Sequence, residues 1–269
     1  MDVNLRCREN NLAHRTKEID RERLIVRRGQ PFSITVQCSE TLPPDHHLEL
    51  VLHIGKYSLT EETVGGMIDG QQGAQDEMLL TLHSPPDAII GQYRLTMLMM
   101  SPDGRTIDKT DNTRFHLLFN PWCKDDAVYL PDEKLLQEYV MNESGVIYVG
   151  SSEGINSTPW SYGQVALSLS HTHLYTLVER LEYVDINLRS DPVYVSRIIT
   201  AMVNSNGDRG VLTGRWHEPY TEGVAPTKWT GSVPILQKWS KAGTVKYGQC
   251  WVFAAVACTG KSAPEFDAV

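Results

Sequence analysis

The sequence has little that would tie it to a nucleic acid, a zinc ion or a bilayer. Basic residues are outnumbered, 25 Lys and Arg against 33 Asp and Glu, for a formal net charge of −8. That balance argues against nucleic-acid binding, which needs clustered positive charge. Five cysteines occur (Cys7, Cys38, Cys123, Cys250 and Cys258), with no CxxC pair and no zinc spacing. An odd number at wide intervals argues against a secreted disulfide scaffold and points to reduced thiols in a cytoplasmic compartment. The N-terminus is polar and charged from Asp2 onward, so no signal peptide is expected. No apolar run approaches the ~18 residues of a membrane span. Internal repeats and low-complexity tracts are absent as well.

What remains is an ordinary globular composition, 41% hydrophobic over 269 residues, long enough for two modest domains. The first 120 residues have a period of two. Phe32, Ile34, Val36 and Cys38 alternate with polar positions, as do Leu48 to Ile54, Met78 to Leu82, Tyr93 to Met99 and Phe115 to Phe119. Such alternation marks half-buried strands. Leu42-Pro43-Pro44-Asp45, Ser84-Pro85-Pro86-Asp87 and Ser101-Pro102-Asp103-Gly104 read as turns between them, the last as a hairpin connection. The basic stretch Arg21 to Arg28, broken by Leu24, Ile25 and Val26, reads as a strand with a solvated edge. Many short strands predict a β-sandwich over 1–120.

Past Asn120-Pro121-Trp122 the texture changes. Pro131 to Met141 has a helical period with Leu135, Leu136, Tyr139 and Val140 on one face, and Tyr194 to Val203 is apolar with helical spacing. Ser232 is placed to cap a short helix with Pro234 in its first turn. Cys250 to Thr259 is apolar nearly all round, which predicts a buried central helix. Residues 121–269 are therefore expected to be α+β, with most of their strands not evident.

Thiolate chemistry needs a cysteine activated by a helix N-terminus or a nearby histidine. Gly248-Gln249 ends a loop and Cys250 opens the apolar run, which sets its sulfur at the positive end of a helix dipole. The alternative from spacing alone is a buried structural cysteine. Cys258 is expected in the core.

The stretch Val245 to Val256 (VKYGQCWVFAAV) resembles the nucleophile segment of animal transglutaminases, and other segments follow in family order. They are Asn10-Asn11-Leu12-Ala13-His14, Phe119-Asn120-Pro121-Trp122-Cys123, Asp191-Pro192-Val193-Tyr194-Val195 (with Ser196 where glycine is usual), Gly210 to Trp216, Gly223-Val224-Ala225-Pro226 and Trp229 to Val233. The resemblance covers most of residues 1–259 and is nearest the tissue-type branch as found in fish. It implies an immunoglobulin-like β-sandwich followed by a papain-like core. It also implies a protein-glutamine γ-glutamyltransferase, in which the Cys250 thiolate attacks a glutamine γ-carboxamide and a lysine amine then resolves the thioester into an isopeptide cross-link. By the same resemblance Trp229 offers its indole N–H to the oxyanion, beside the Cys250 backbone N–H, and Trp251 lines the acyl-acceptor channel, where a core aromatic is the other reading. A calcium loop would use the carbonyl of Ala201 with Asn204, Asn206 and Asp208. From its residues alone, Asn206-Gly207-Asp208 is a turn.

The departures from the family are as specific. A papain-type thiol needs a histidine and an orienting aspartate, which in the family follow the cysteine, yet all nine histidines here precede Cys250. The resemblance lapses over about 57–69, 165–187 (which holds His171 and His173) and 260–269, and a chain truncated after the nucleophile helix is the expectation. Glu153-Gly154 stands where tissue-type members carry the Lys-Phe pair of their GTP cleft, so no GTP binding is expected. Three readings compete: a calcium-dependent cross-linking enzyme acting on proteins with accessible Gln and Lys, a non-catalytic relative that binds proteins, matrix proteins among them, through its sandwich, and a papain-like peptidase. The order of the flanking segments favours the first over the third.

Overall fold

A computed structural model describes residues 1–38, 45–54, 57–59, 69–72, 77–110, 113–163 and 185–262. The divergent stretches lie largely outside these, and so do His171 and His173. The chain divides into two compact units, Met1–Tyr129 and Leu130–Val269. Segment 121–129 goes with the sandwich because Asp126 and Val128 are buried within it.

The first unit is built from two sheets. One runs β1 (Asp2–Asn4), β3 (Phe32–Gln37), β7 (Glu77–Leu82) and β6 (Asp69–Gln72), with every pairing antiparallel. The other runs β2 (Leu24–Arg27), β10 (Thr113–Leu118), β8 (Gly91–Met100), β4 (His47–Ile54) and β5 (Tyr57–Leu59), with β9 (Thr106–Lys109) also paired to β8. Each of the five alternating runs falls on a strand. Their apolar positions, among them Ile34, Val36, Leu80, Tyr93, Leu95, Met97 and Phe115, are buried as the alternation predicts. The Ser101 to Gly104 turn joins β8 to β9, with Gly104 at φ 79° and its N–H donated to Ser101 O at 2.9 Å.

Two expectations for this unit are corrected. Helix α1 (Cys7–Ala13) breaks the all-β pattern. It delivers Asn10 and Asn11 as buried side-chain staples. Asn11 accepts from Ile25 N at 2.9 Å and donates to Asp20 O and Arg23 O, while Asn10 exchanges hydrogen bonds with the backbone of Ser33. Strand β2, expected to have a solvated edge, is buried along its length. Arg27 and Arg28 are buried because each guanidinium has partners: Arg27 donates to His14 O and Phe119 O, and Arg28 forms a two-pronged pair with Asp126.

The second unit comprises α2 (Glu133–Tyr139), the hairpin β11 (Ser144–Ser151) and β12 (Gly154–Ser161), α3 (Pro192–Val203), β13 (Leu212–Gly214), α4 (Ser232–Ala242), β14 (Val245–Gly248) and α5 (Cys250–Ser262). The Asp132 carboxylate caps α2, which buries Leu136 with Val140 but leaves Tyr139 half exposed. Asp191 caps α3 by accepting from Val193 N at 2.8 Å, with Pro192 in the first turn. Gly231 takes the cap position of α4 in place of Ser232. Ser232 is fully buried, accepting from Trp160 Nε1 at 2.9 Å and from Thr259 Oγ1 at 2.6 Å. That ties the hairpin, α4 and α5 together. Among the described residues no helix is long and apolar enough to cross a membrane.

Candidate active site

Strand β14 lies parallel to β13 and delivers the chain to Gln249, after which α5 begins at Cys250. The expected all-round burial of that helix does not occur. Val252, Ala255, Val256 and Thr259 face the core, whereas Cys250, Ala254 and Cys258 lie four residues apart on the opposite, exposed face. Cys258 is thus not a core residue. An apolar sequence could not disclose this, because the sidedness comes from which neighbours pack against the helix. Cys250 is an exposed thiol in the first turn, where the leading N–H groups of the helix have no partner within it.

The segment before it is held on several sides. Gly223-Val224-Ala225-Pro226 runs beside β14, with Val224 N donating to Lys246 O at 2.8 Å and Tyr247 N to Val224 O at 3.1 Å. A side chain at Gly223 would meet Lys246 O at 2.4 Å, so this approach admits only glycine. Arg215 Nη1 donates to Tyr247 Oη at 3.1 Å, its guanidinium lies 5.1 Å over the Tyr247 ring, and Tyr220 packs against the same ring.

Trp229 and Trp251 share one cleft of about 250 Å³, whose other wall is the inner face of the β11–β12 hairpin: Ile147, Val149, Thr158 and Trp160. Trp251 is the residue after Cys250, so the first turn of α5 contributes one wall of the cleft. The Trp229 indole N–H is donated to Tyr247 O at 2.9 Å. That bond fixes the ring in the cleft wall and occupies the donor expected at the oxyanion. Gly231 lets the chain after Trp229 pass close to the hairpin: Ser161 N donates to Thr230 O at 3.1 Å, and a Cβ at Gly231 would sit 2.7 Å from Ser161 O.

The residues expected to bind calcium lie apart from this cleft. Helix α3 ends at Val203, and Ser205 N, which a continuing helix would donate to Ala201 O, goes instead to Leu212 O at 2.8 Å. Asn204, Asn206 and Asp208 are exposed on the loop that follows. Gly207 adopts φ 86°, and Asp208 Oδ1 accepts from Asn206 N and Gly210 N. The loop presents oxygens alone, the donor type a hard divalent cation takes, but fewer than the 6–8 such ions commonly bind. Among the described residues no cluster of three or more His, Cys, Asp or Glu could hold a metal. Asn204 also borders a second, mostly apolar cavity of about 450 Å³ lined by Val203, Trp216, Phe253, Ala254 and Ala257.

A β-sandwich followed by an α+β unit with an exposed cysteine opening a helix beside a tryptophan-walled cleft defines a class of protein, and comparison with known proteins identifies it. The chain belongs to the transglutaminase family. Residues 1–100 match the Transglutaminase family profile. The chain is 65% identical over 273 residues to protein-glutamine gamma-glutamyltransferase 2 of Pagrus major, covering 96% of this chain and 39% of that one. It is 40% identical over 280 residues to protein-glutamine gamma-glutamyltransferase Z of Homo sapiens, with the same coverages. The crystal structure of red sea bream transglutaminase superposes with a TM-score of 0.88 at 63% identity, over 98% of this chain and 42% of that one. The chain thus spans about two fifths of the length of these relatives.

Proposed function

We propose that Cys250 is the acyl-accepting nucleophile of a calcium-dependent protein-glutamine γ-glutamyltransferase. The observation that carries this reading is the exposed thiol at the first turn of α5, a turn whose next residue, Trp251, walls a cleft together with Trp229. The thiolate attacks the γ-carbonyl carbon of a protein-bound glutamine, a C–S bond forms, the C–N bond breaks and ammonia leaves with a proton. A lysine ε-amine then attacks the thioester, forming the amide and returning the thiol. The cleft's Trp229, Trp251, Ile147 and Val149 side chains suit the aliphatic stem of the lysine. For Trp229 to serve the oxyanion, its N–H exchanges Tyr247 O for the substrate oxygen.

The test is calcium-dependent incorporation of a labelled primary amine into a glutamine-rich protein, comparing the 269-residue chain with Cys250→Ala. Incorporation by the unmutated chain is expected to exceed that of Cys250→Ala by a factor on the order of 10³ or more. An equal rate in that variant would remove Cys250 from the mechanism. An undetectable rate in both proteins would instead support a second reading, in which these residues act through the sandwich as a protein-binding module.

In the calcium reading, Ala201 O and the side-chain oxygens of Asn204, Asn206 and Asp208 hold the ion, which would order the loop after α3. Calcium should raise the thermal midpoint of the chain by a few degrees at saturation, through preferential binding to the folded state. Asp208→Asn removes the loop's one carboxylate and should abolish the shift. An unchanged midpoint in the unmutated chain would exclude this loop as a calcium site.

A further inference from the structure

Gln249 stands immediately before the nucleophile and has no place in the chemistry just described. Its backbone carbonyl accepts the N–H groups of Val252 at 2.8 Å and Phe253 at 3.0 Å, closing the first turn of α5. Its side chain points elsewhere. Nε2 donates to Arg215 O at 2.9 Å and to Tyr220 Oη at 3.1 Å. Both acceptors are themselves held. Arg215 N donates to Gly248 O at 3.1 Å, Arg215 Nε donates to His217 O at 3.0 Å, and the Arg215 guanidinium and the Tyr220 ring both pack on Tyr247. The turn that begins the helix is therefore tied sideways to the β13 exit through one amide side chain.

We infer that Gln249 is a positioning residue for Cys250, an assignment that rests on Cys250 being the nucleophile. Helix ends fray, because their first N–H groups have no partner within the helix. Cys250 is the first helical residue and is exposed, so its own side chain contributes little packing to hold the turn. The two hydrogen bonds from Gln249 supply the restraint. They hold the first turn of α5, and with it Cys250 and Trp251, in a fixed place against the β13 exit. A displacement of about 1 Å at such a point is enough to cost on the order of a hundredfold in rate.

Cys258 provides an internal reference, being an exposed thiol on the same helix, two turns further along and away from its start. The experiment is alkylation of the 269-residue chain by iodoacetamide at pH 7, with the rates at Cys250 and Cys258 read separately by peptide mass spectrometry. Cys250 should react about tenfold faster than Cys258, because it alone is held at the helix start, where the first-turn N–H groups are left open to the sulfur and to the approaching reagent. Gln249→Met keeps the side-chain length but removes both donated bonds, and should bring the Cys250 rate down about tenfold, to that of Cys258, with the Cys258 rate unchanged. Tyr220→Phe removes only one acceptor, leaves Gln249 intact and should give a loss of about two- to threefold. A general loss of structure would instead raise the rates at Cys258 and at buried Cys38 as well. Fast Cys250 alkylation in both variants, equal to that of the unmutated chain, would overturn the positioning role while leaving the nucleophile assignment standing. A Cys250 no faster than Cys258 in the unmutated chain would overturn both.

Discussion

Asp126→Asn is expected to destabilise the sandwich by about 3–5 kcal/mol, the cost of leaving one half of a buried ion pair without its partner. The Arg28 and Asp126 side chains are 1% and 0% exposed. The guanidinium donates through Nε and Nη2 to the two carboxylate oxygens, both at 2.7 Å, and through Nη1 to Ala88 O. The carboxylate also accepts from Asn120 N at 2.9 Å and Val128 N at 3.2 Å, while Asn120 Nδ2 donates to Arg28 O. One carboxylate thus closes strand β2 onto the segment by which the chain leaves the sandwich. Asparagine keeps the volume but offers one acceptor oxygen in place of two, so the arginine charge remains buried without compensation. Replacing both residues by apolar ones of similar size should cost less than the single change through Arg28, yet not recover full stability, because Asn120 N and Val128 N would lose their acceptor. The measurement is amide hydrogen exchange in peptides from β2, β8 and β10, which isolates this unit where a single unfolding curve for two units would not. Exchange protection in Asp126→Asn within 1 kcal/mol of the unmutated chain would show that the pair is not needed.

That clamp was not legible in the sequence, and the reason is physical. Arg27 and Arg28 look like solvated charges until the partner is known, and Asp126 lies 98 positions away from Arg28. The strands were legible wherever one face met the core and the other met water, since that contrast produces the alternation from Phe32 to Cys38 or from Tyr93 to Met99. The hairpin of the second unit lacks the contrast. Along β11, Ile147 and Val149 line the cleft while Val146 and Tyr148 are exposed on the other face, Tyr148 by 72%. Both faces are apolar, and no period of two can be read. Helix α1 escaped for the opposite reason, because its buried residues are the asparagines Asn10 and Asn11 rather than a hydrophobic stripe. At the site, the position of Cys250 at a helix start followed from Gly248-Gln249 and the apolar run. The hydrogen bond that engages Trp229 and the contacts of Gln249 with Arg215 and Tyr220 did not, since they join segments that only tertiary structure brings together. Arg215 and Gln249 lay within segments recognisable as family-like, which was the one available signal.

Acidification should weaken the same sandwich well before its carboxylates are titrated. His14 and His116 are buried, at 1% and 8% exposure. Burial, together with nearby Arg27, pushes His14 down from 6.5 to about 4. Burial and the charge of Arg23, partly opposed by Asp20, do the same for His116. The partners of His14 define its neutral form: Nδ1 accepts from Arg27 N at 2.9 Å, which leaves Nε2–H to donate to Pro31 O at 3.1 Å. A proton added at Nδ1 would turn that acceptor into a donor facing a donor. The sign follows directly. Both groups bind protons more weakly in the folded state than in the unfolded chain, so their stabilisation is complete above pH 6.5 and is lost as the pH falls from there toward 4. By pH 5 each should have given up roughly 2 kcal/mol, and at pH 4 and below roughly 3 kcal/mol. The window from 6.5 to 5 belongs to the histidines, since ordinary carboxylates stay ionised throughout it. Urea unfolding read by hydrogen exchange in the first unit should therefore show a midpoint that drops steeply between pH 6.5 and 5. His116→Gln, which keeps a polar side chain but has no proton to bind in this range, should flatten that slope by about half. A midpoint that stays level down to pH 5 in the unmutated chain would mean that one or both imidazoles take up their proton without leaving the fold.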